Sequence, residues 1–150
     1  MIKVYLASRY ARREEMEKYA CALRELGFEI TSTWVYGDHD TLSQPGYVKK
    51  FATLDRADLL GSDIVINFAE PKELDYPRGS RHTEFGMGYE RGKVCYVVGK
   101  HGPDLENIFH SLEGVLVYDN WEILLPHLQQ LAVYGKAKDT MEKIRNEGQI

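Results

Sequence analysis

The first thirty-three residues constrain this chain more than any other stretch. Residues 2–7 form a short apolar, β-prone run ending at Ser8, a residue type suited to cap a helix. From residue 9 to residue 26, Tyr10, Met16, Tyr19, Ala20, Leu23 and Leu26 recur near i, i+3, i+4 spacing, which predicts an amphipathic helix. Gly27 follows as a stop signal tolerant of positive φ, and residues 28–33 read as a second strand. Strand, helix and strand in so short a space make a βαβ unit. Such a unit implies parallel strands joined by a right-handed crossover.

The alternation continues down the chain. Residues 34–46 are polar and rich in Gly, Asp and His, and read as a loop. Helical spacing resumes over residues 47–60 through Val48, Phe51, Leu54 and Leu59, until Gly61 and Ser62 break it. Residues 63–68 are the third strand, residues 69–80 a second loop, and residues 81–91 a short helix stopped by Gly92. Residues 94–98 and 115–118 read as strands four and five. A helix around residues 121–131 follows, and the charged tail from Lys136 is a candidate final helix. This order predicts an α/β fold, a doubly wound (flavodoxin-like or Rossmann-like) five-stranded parallel sheet with helices on both faces. Without a linker or repeat, residues 1–150 read as a single domain whose tail, 133–150, is the least defined part.

Charge narrows the partners. A net charge of −4 argues against a general nucleic-acid binder, which needs a basic surface to neutralise phosphates. Cys21 and Cys95 have no metal-ligand spacing and are too few for a disulfide framework, so they read as buried thiols in a reducing compartment. The N-terminal run is too short and too soon charged for a signal peptide or a membrane span. A soluble, cytoplasmic protein is the expectation.

In doubly wound sheets ligands bind beyond the carboxyl ends of the strands, which singles out residues 7–10, 33–46 and 69–84. Ala7-Ser8-Arg9-Tyr10 stands where a dinucleotide-binding GxGxxG would be, and no GxxxxGK[ST], HExxH, CxxC or GxSxG occurs. The unusual stretch is residues 77–93, PRGSRHTEFGMGYERGK. Glu84 falls in the first turn of the predicted helix there. It is either a helix-start carboxylate favoured by the dipole or a partly buried carboxylate facing a ligand crevice. Asp55, near the end of the preceding helix, is either a second crevice carboxylate or a solvated residue. Asp63, at the opposite end of the sheet, reads as structural. Arg78, Ser80, Arg81 and His82 crowd the loop entering the Glu84 helix, as an anion site would require or as a solvated basic loop would allow. Trp34, closing the second strand, is either a stacking surface for a base or a packing residue.

Taken together these positions resemble the nucleoside 2-deoxyribosyltransferase superfamily, which includes deoxynucleoside 5′-monophosphate N-glycosidases. The resemblance spans roughly residues 2–131. It rests on Val4-Tyr5-Leu6-Ala7, on the Asp55 helix before Asp63-Ile64-Val65-Ile66, on GSRHTEFGMG at residues 79–88, and on Gly92-Lys93. Ile108-Phe109-His110 followed by Gly114-Val115 adds to it. The resemblance implies that Glu84 attacks the anomeric carbon, that Asp55 positions the substrate or protonates the departing base, and that Tyr5 hydrogen-bonds the nucleophile. Substrate contacts would fall to Ser8, Trp34, Arg78, Ser80, Arg81 and His82. One position departs from the pattern. Six residues before the glutamate, transferases of free nucleosides carry an acid and monophosphate glycosidases a serine; here it is Arg78, which with Ser80 and Arg81 suits a phosphate.

The activity implied is cleavage of the N-glycosidic bond of (2′-deoxy)nucleosides or their 5′-monophosphates, the sugar passing to water or to another nucleobase. No cofactor or metal is implied. The partners implied are a small nucleoside or nucleotide and further copies of the chain, not a nucleic-acid polymer or a membrane. The alternatives are a nucleotide-binding or sensing module on the same fold without turnover, and a glycohydrolase of a dinucleotide.

Overall fold

The computed structural model describes residues 1–37, 44–70, 79–99 and 107–148. Five strands, β1 (Lys3–Ala7), β2 (Glu29–Ile30), β3 (Ile64–Phe68), β4 (Val94–Val98) and β5 (Leu116–Tyr118), form one sheet in the order β2-β1-β3-β4-β5. Every pairing is parallel. Helices α1 (Arg13–Glu25), α2 (Tyr47–Leu60), α3 (Ser80–Glu90) and α4 (Trp121–Glu147) supply the crossovers and the outer layers. The expected doubly wound α/β fold is what the chain adopts.

The central strands β1 and β3 are apolar without alternation because both of their faces are covered. Val4 to Ala7 are all fully buried, and every residue of β3 is buried. On one face α1 inserts Met16, Ala20 and Leu23, and Tyr19 stacks between Phe68 of β3 and Trp121 of α4 at 5.4 and 4.3 Å. On the other face lies α3, and Gly88 permits its close approach. A Cβ there would stand 2.8 Å from Val65 Cγ2. Gly27, at φ +97°, ends the first crossover where the sequence places the stop. Asp63 ties the amino ends of β1 and β3, accepting the Lys3 amide at 2.8 Å.

Four expectations are corrected. The second strand is not residues 28–33 but Glu29–Ile30. After the Thr31 amide donates to the Val4 carbonyl at 2.9 Å, the ladder passes to side chains: Ser32 Oγ accepts the Leu6 amide at 3.1 Å, and the Trp34 indole N–H donates to the Leu6 carbonyl at 2.8 Å. Residues 33–35 close instead into a 3₁₀ turn. Ser8 caps no helix, because a 3₁₀ turn at Tyr10–Arg12 intervenes before α1 starts at Arg13. The Arg12 guanidinium holds that turn through Glu15, at 2.8 and 2.9 Å, and through the Ala69 carbonyl at 3.2 Å. The helix after β5 and the charged tail are one helix of 27 residues. Asn120 caps its start by accepting the Ile123 amide at 2.9 Å, and Pro126 removes one ladder bond without ending it. Finally, Cys95 is buried as expected but Cys21, on the outer side of α1, is exposed.

Candidate active site

The strand order creates a switch point. From β1 the chain crosses outward to β2, and its next strand, β3, pairs on the other side of β1. A cleft of about 630 Å³ opens at the carboxyl end of β1. Its floor is the stretch from Ser8 to Ala11, with Trp34 beside it. One wall is α2 and the other α3.

Glu84 enters from the α3 wall. The helix begins at Ser80, one residue earlier than the sequence predicts, so Glu84 stands at the start of the second turn rather than in the first. Its Oε1 accepts the Tyr5 hydroxyl at 3.0 Å. Tyr5 reaches it because the α3-facing side of β1 is that of Tyr5, which lies in register with Val65 beneath Gly88. Burial pushes the Glu84 carboxyl up to about 8, a rise that Tyr5 opposes and that Asp55 reinforces. Asp55 lines the cleft from α2, and burial with the neighbouring Asp58 carboxylate raises it to about 6. Burial likewise raises the Tyr5 hydroxyl far above its ordinary range, with Glu84 and Asp55 adding to the rise. Between the two carboxyl values the pair carries one proton.

A basic group lines the same cleft. Arg81 is buried, and its burial lowers its basicity, while Glu70 acts in the opposite sense. Glu70 in turn pairs with Arg9 at 3.7 Å and with Arg12 at 3.6 Å. Arg9, Ser80 and Arg81 line the cleft, as does Ser8, whose buried Oγ has no hydrogen-bond partner among the described residues. Arg78 lies outside the described residues.

Other candidates stand differently. Trp34 borders the cleft but is 5% exposed, and its only donor is committed to Leu6. It can offer a ligand its ring and no hydrogen bond. His82 does not line the cleft. Its ring lies 5.7 Å from that of buried His110, which contacts Asn67 at 3.0 Å, so α3 turns it towards the interior rather than the ligand space. Phe51, Arg56 and Met87, none of them a site residue by sequence, also line the cleft. Their signal is present but ambiguous. Val48 and Phe51 follow helical spacing and read as core, yet Val48 is 63% exposed and both line the cleft.

No family model and no curated protein matches the sequence. Solved structures do match. A 2-deoxyribosyltransferase of Bacillus psychrosaccharolyticus superposes with a TM-score of 0.64 at 19% identity, over 82% of this chain and 90% of that one. The CMP N-glycosidase BcmB of Clostridium botulinum gives 0.55 at 21% identity, over 84% and 97%. A conserved protein of Enterococcus faecalis gives 0.62 at 16% identity, over 87% and 98%. These likenesses show that the chain shares the fold of these three proteins.

Proposed function

We propose that the chain breaks the N-glycosidic bond of (deoxy)nucleosides or their 5′-monophosphates, with Glu84 as nucleophile and Asp55 as proton donor. The observation that carries this reading is the Glu84 carboxyl oriented by Tyr5 at 3.0 Å, in the same cleft as Asp55. A relative that is a 2-deoxyribosyltransferase and another that is a CMP N-glycosidase support the same class of chemistry.

In the first step a Glu84 oxygen bonds to C1′ as the C1′–N bond breaks. The bond's electron pair leaves with the base, which takes the proton held by Asp55. The one proton of the pair suffices, provided it resides on Asp55 when C1′ lies against Glu84. Positive charge developing on the sugar favours that arrangement, because it stabilises the adjacent carboxylate. In the second step water, losing a proton to Asp55, bonds to C1′ and releases Glu84; a second nucleobase in its place gives transfer. Tyr5 holds the attacking oxygen in line. Ser8, Ser80, Arg81 and Arg9 supply donors for the sugar or a 5′-phosphate, with Arg78 as a further candidate, and the faces of Trp34 and Phe51 flank the base. A homo-oligomer belongs to the same proposal, supported by Val48 and Leu54 of α2, which are 63% and 42% exposed.

The test is incubation of the purified chain with deoxynucleosides and deoxynucleoside monophosphates, with and without an acceptor base. Free base without acceptor identifies hydrolysis, and exchange that needs the acceptor identifies transfer. Full activity in Glu84→Ala refutes the mechanism. Tight binding with unchanged ligand points to a module without turnover.

A further inference from the structure

Two carboxyl groups on separate helices act together only if the helices keep a fixed spacing. α2 buries a single residue, Leu59, so core packing alone holds it weakly. Asp58 supplies a second hold. Its Oδ2 accepts both the Thr33 amide, at 3.0 Å, and the Thr33 hydroxyl, at 2.6 Å. Thr33 opens the turn that carries Trp34, and Trp34 donates to the Leu6 carbonyl at 2.8 Å. Leu6 follows Tyr5, whose hydroxyl reaches Glu84. A continuous path therefore joins the cleft carboxyls, from Asp55 along one helical turn to Asp58, then through Thr33, Trp34, Leu6 and Tyr5 to Glu84.

We propose that Asp58 is a positioning residue: through Thr33 it anchors α2 to β1 and so fixes Asp55 relative to Glu84 across the cleft. The inference rests on the reading of Asp55 and Glu84 as proton donor and nucleophile. Asp58 also acts through its charge. It stands three residues beyond Asp55, on the same side of the helix, and its carboxylate adds to the burial that raises Asp55. Among the described residues, the other charged or titratable groups that line the cleft are Arg9, Tyr10, Arg56 of α2, and Arg81 and Glu84 of α3, with the Tyr5 hydroxyl behind Glu84.

Three variants of the intact chain separate the two effects. Asp58→Asn keeps an oxygen acceptor for Thr33 and removes the charge. Asp58→Ala removes both, and Thr33→Val removes only the hydroxyl donor. Carboxyl-carbon NMR of Asp58→Asn should show the Asp55 titration midpoint lowered by about one pH unit. The limb of the kcat/KM profile near pH 6 should move with it. Asp58→Ala should lose at least about tenfold in kcat with KM changed less than about threefold, and Thr33→Val should fall between it and the wild type. An unmoved midpoint and profile in Asp58→Asn overturn the proposal, as does wild-type kcat in a folded Asp58→Ala. Should Asp58→Ala not fold, Asp58→Asn and Thr33→Val decide the matter. A wild-type chain that releases no base sinks the parent reading instead. In that case an unmoved Asp55 midpoint overturns the coupling, and a lowered one upholds it.

Discussion

Replacing Glu84 by Gln should stabilise the fold while abolishing turnover, and the stabilisation should grow with pH. The folded chain raises this carboxyl from its ordinary 4.5 to about 8, chiefly by burial. The folded state thus holds the proton more tightly than the unfolded one. The stability this contributes is fully present below about pH 4.5 and is lost as pH rises through about 8. Gln has no proton to lose, and its amide oxygen still accepts the Tyr5 hydroxyl. A rise of this size sets a ceiling of about 5 kcal/mol on the difference between wild type and variant above pH 8. Solvent at the cleft mouth screens the charge and reduces the expectation to about 2 kcal/mol. For a domain of this length that corresponds to a Tm about 4–8 °C higher for Glu84→Gln at pH 9. The variant and wild type should melt within about a degree of each other near pH 4.5. Thermal unfolding followed by near-ultraviolet circular dichroism at pH 4.5, 7 and 9 measures the effect. A Tm difference that does not change with pH, or one that turns against the variant as pH rises, refutes the argument that Glu84 is a desolvated carboxyl in a functional cleft.

Further predictions follow from the same geometry. The kcat/KM profile should be bell-shaped with limbs near pH 6 and pH 8, the values of the two carboxyls; a flat profile between pH 5 and 9 would contradict the shared proton. Tyr5→Phe removes the hydrogen bond that lowers Glu84, so its alkaline limb should shift to higher pH and kcat at neutral pH should drop by about 10–100-fold. Gly88→Ala sets a methyl 2.8 Å from Val65 Cγ2, and denaturant unfolding should register a loss of about 1–3 kcal/mol. Ser32→Ala leaves the buried Leu6 amide without its acceptor, and the same titration should show about 1–3 kcal/mol lost.

The three inner strands, β1, β3 and β4, are legible in the sequence because a strand buried on both faces writes itself as an unbroken apolar run. The extent of α2 is legible too, since Gly61 and Ser62 stop a clear helical period at Leu60. The extent of β2 is not, because its ladder is finished by the side chains of Ser32 and Trp34, and polar side chains doing backbone work leave no periodic trace. The start of α1 is misread for a related reason: Arg12, through long-range bonds to Ala69 and Glu70, shapes a turn that local capping rules do not foresee. At the site, Glu84, Asp55 and Tyr5 could be named from the order of motifs, and the cleft brings all three together. His82 could not be told from a ligand contact by sequence, since one step along a helix rotates a side chain by about 100°. The bond between Thr33 and Asp58 joins residues 25 apart and carries no spacing signal at all.

Where β2 ends, the Leu6 peptide group is met by a serine hydroxyl and an indole instead of a neighbouring strand. One of those two groups, the indole of Trp34, also lines the cleft. A change at Trp34 therefore acts on the edge of β1 and on the ligand space at once.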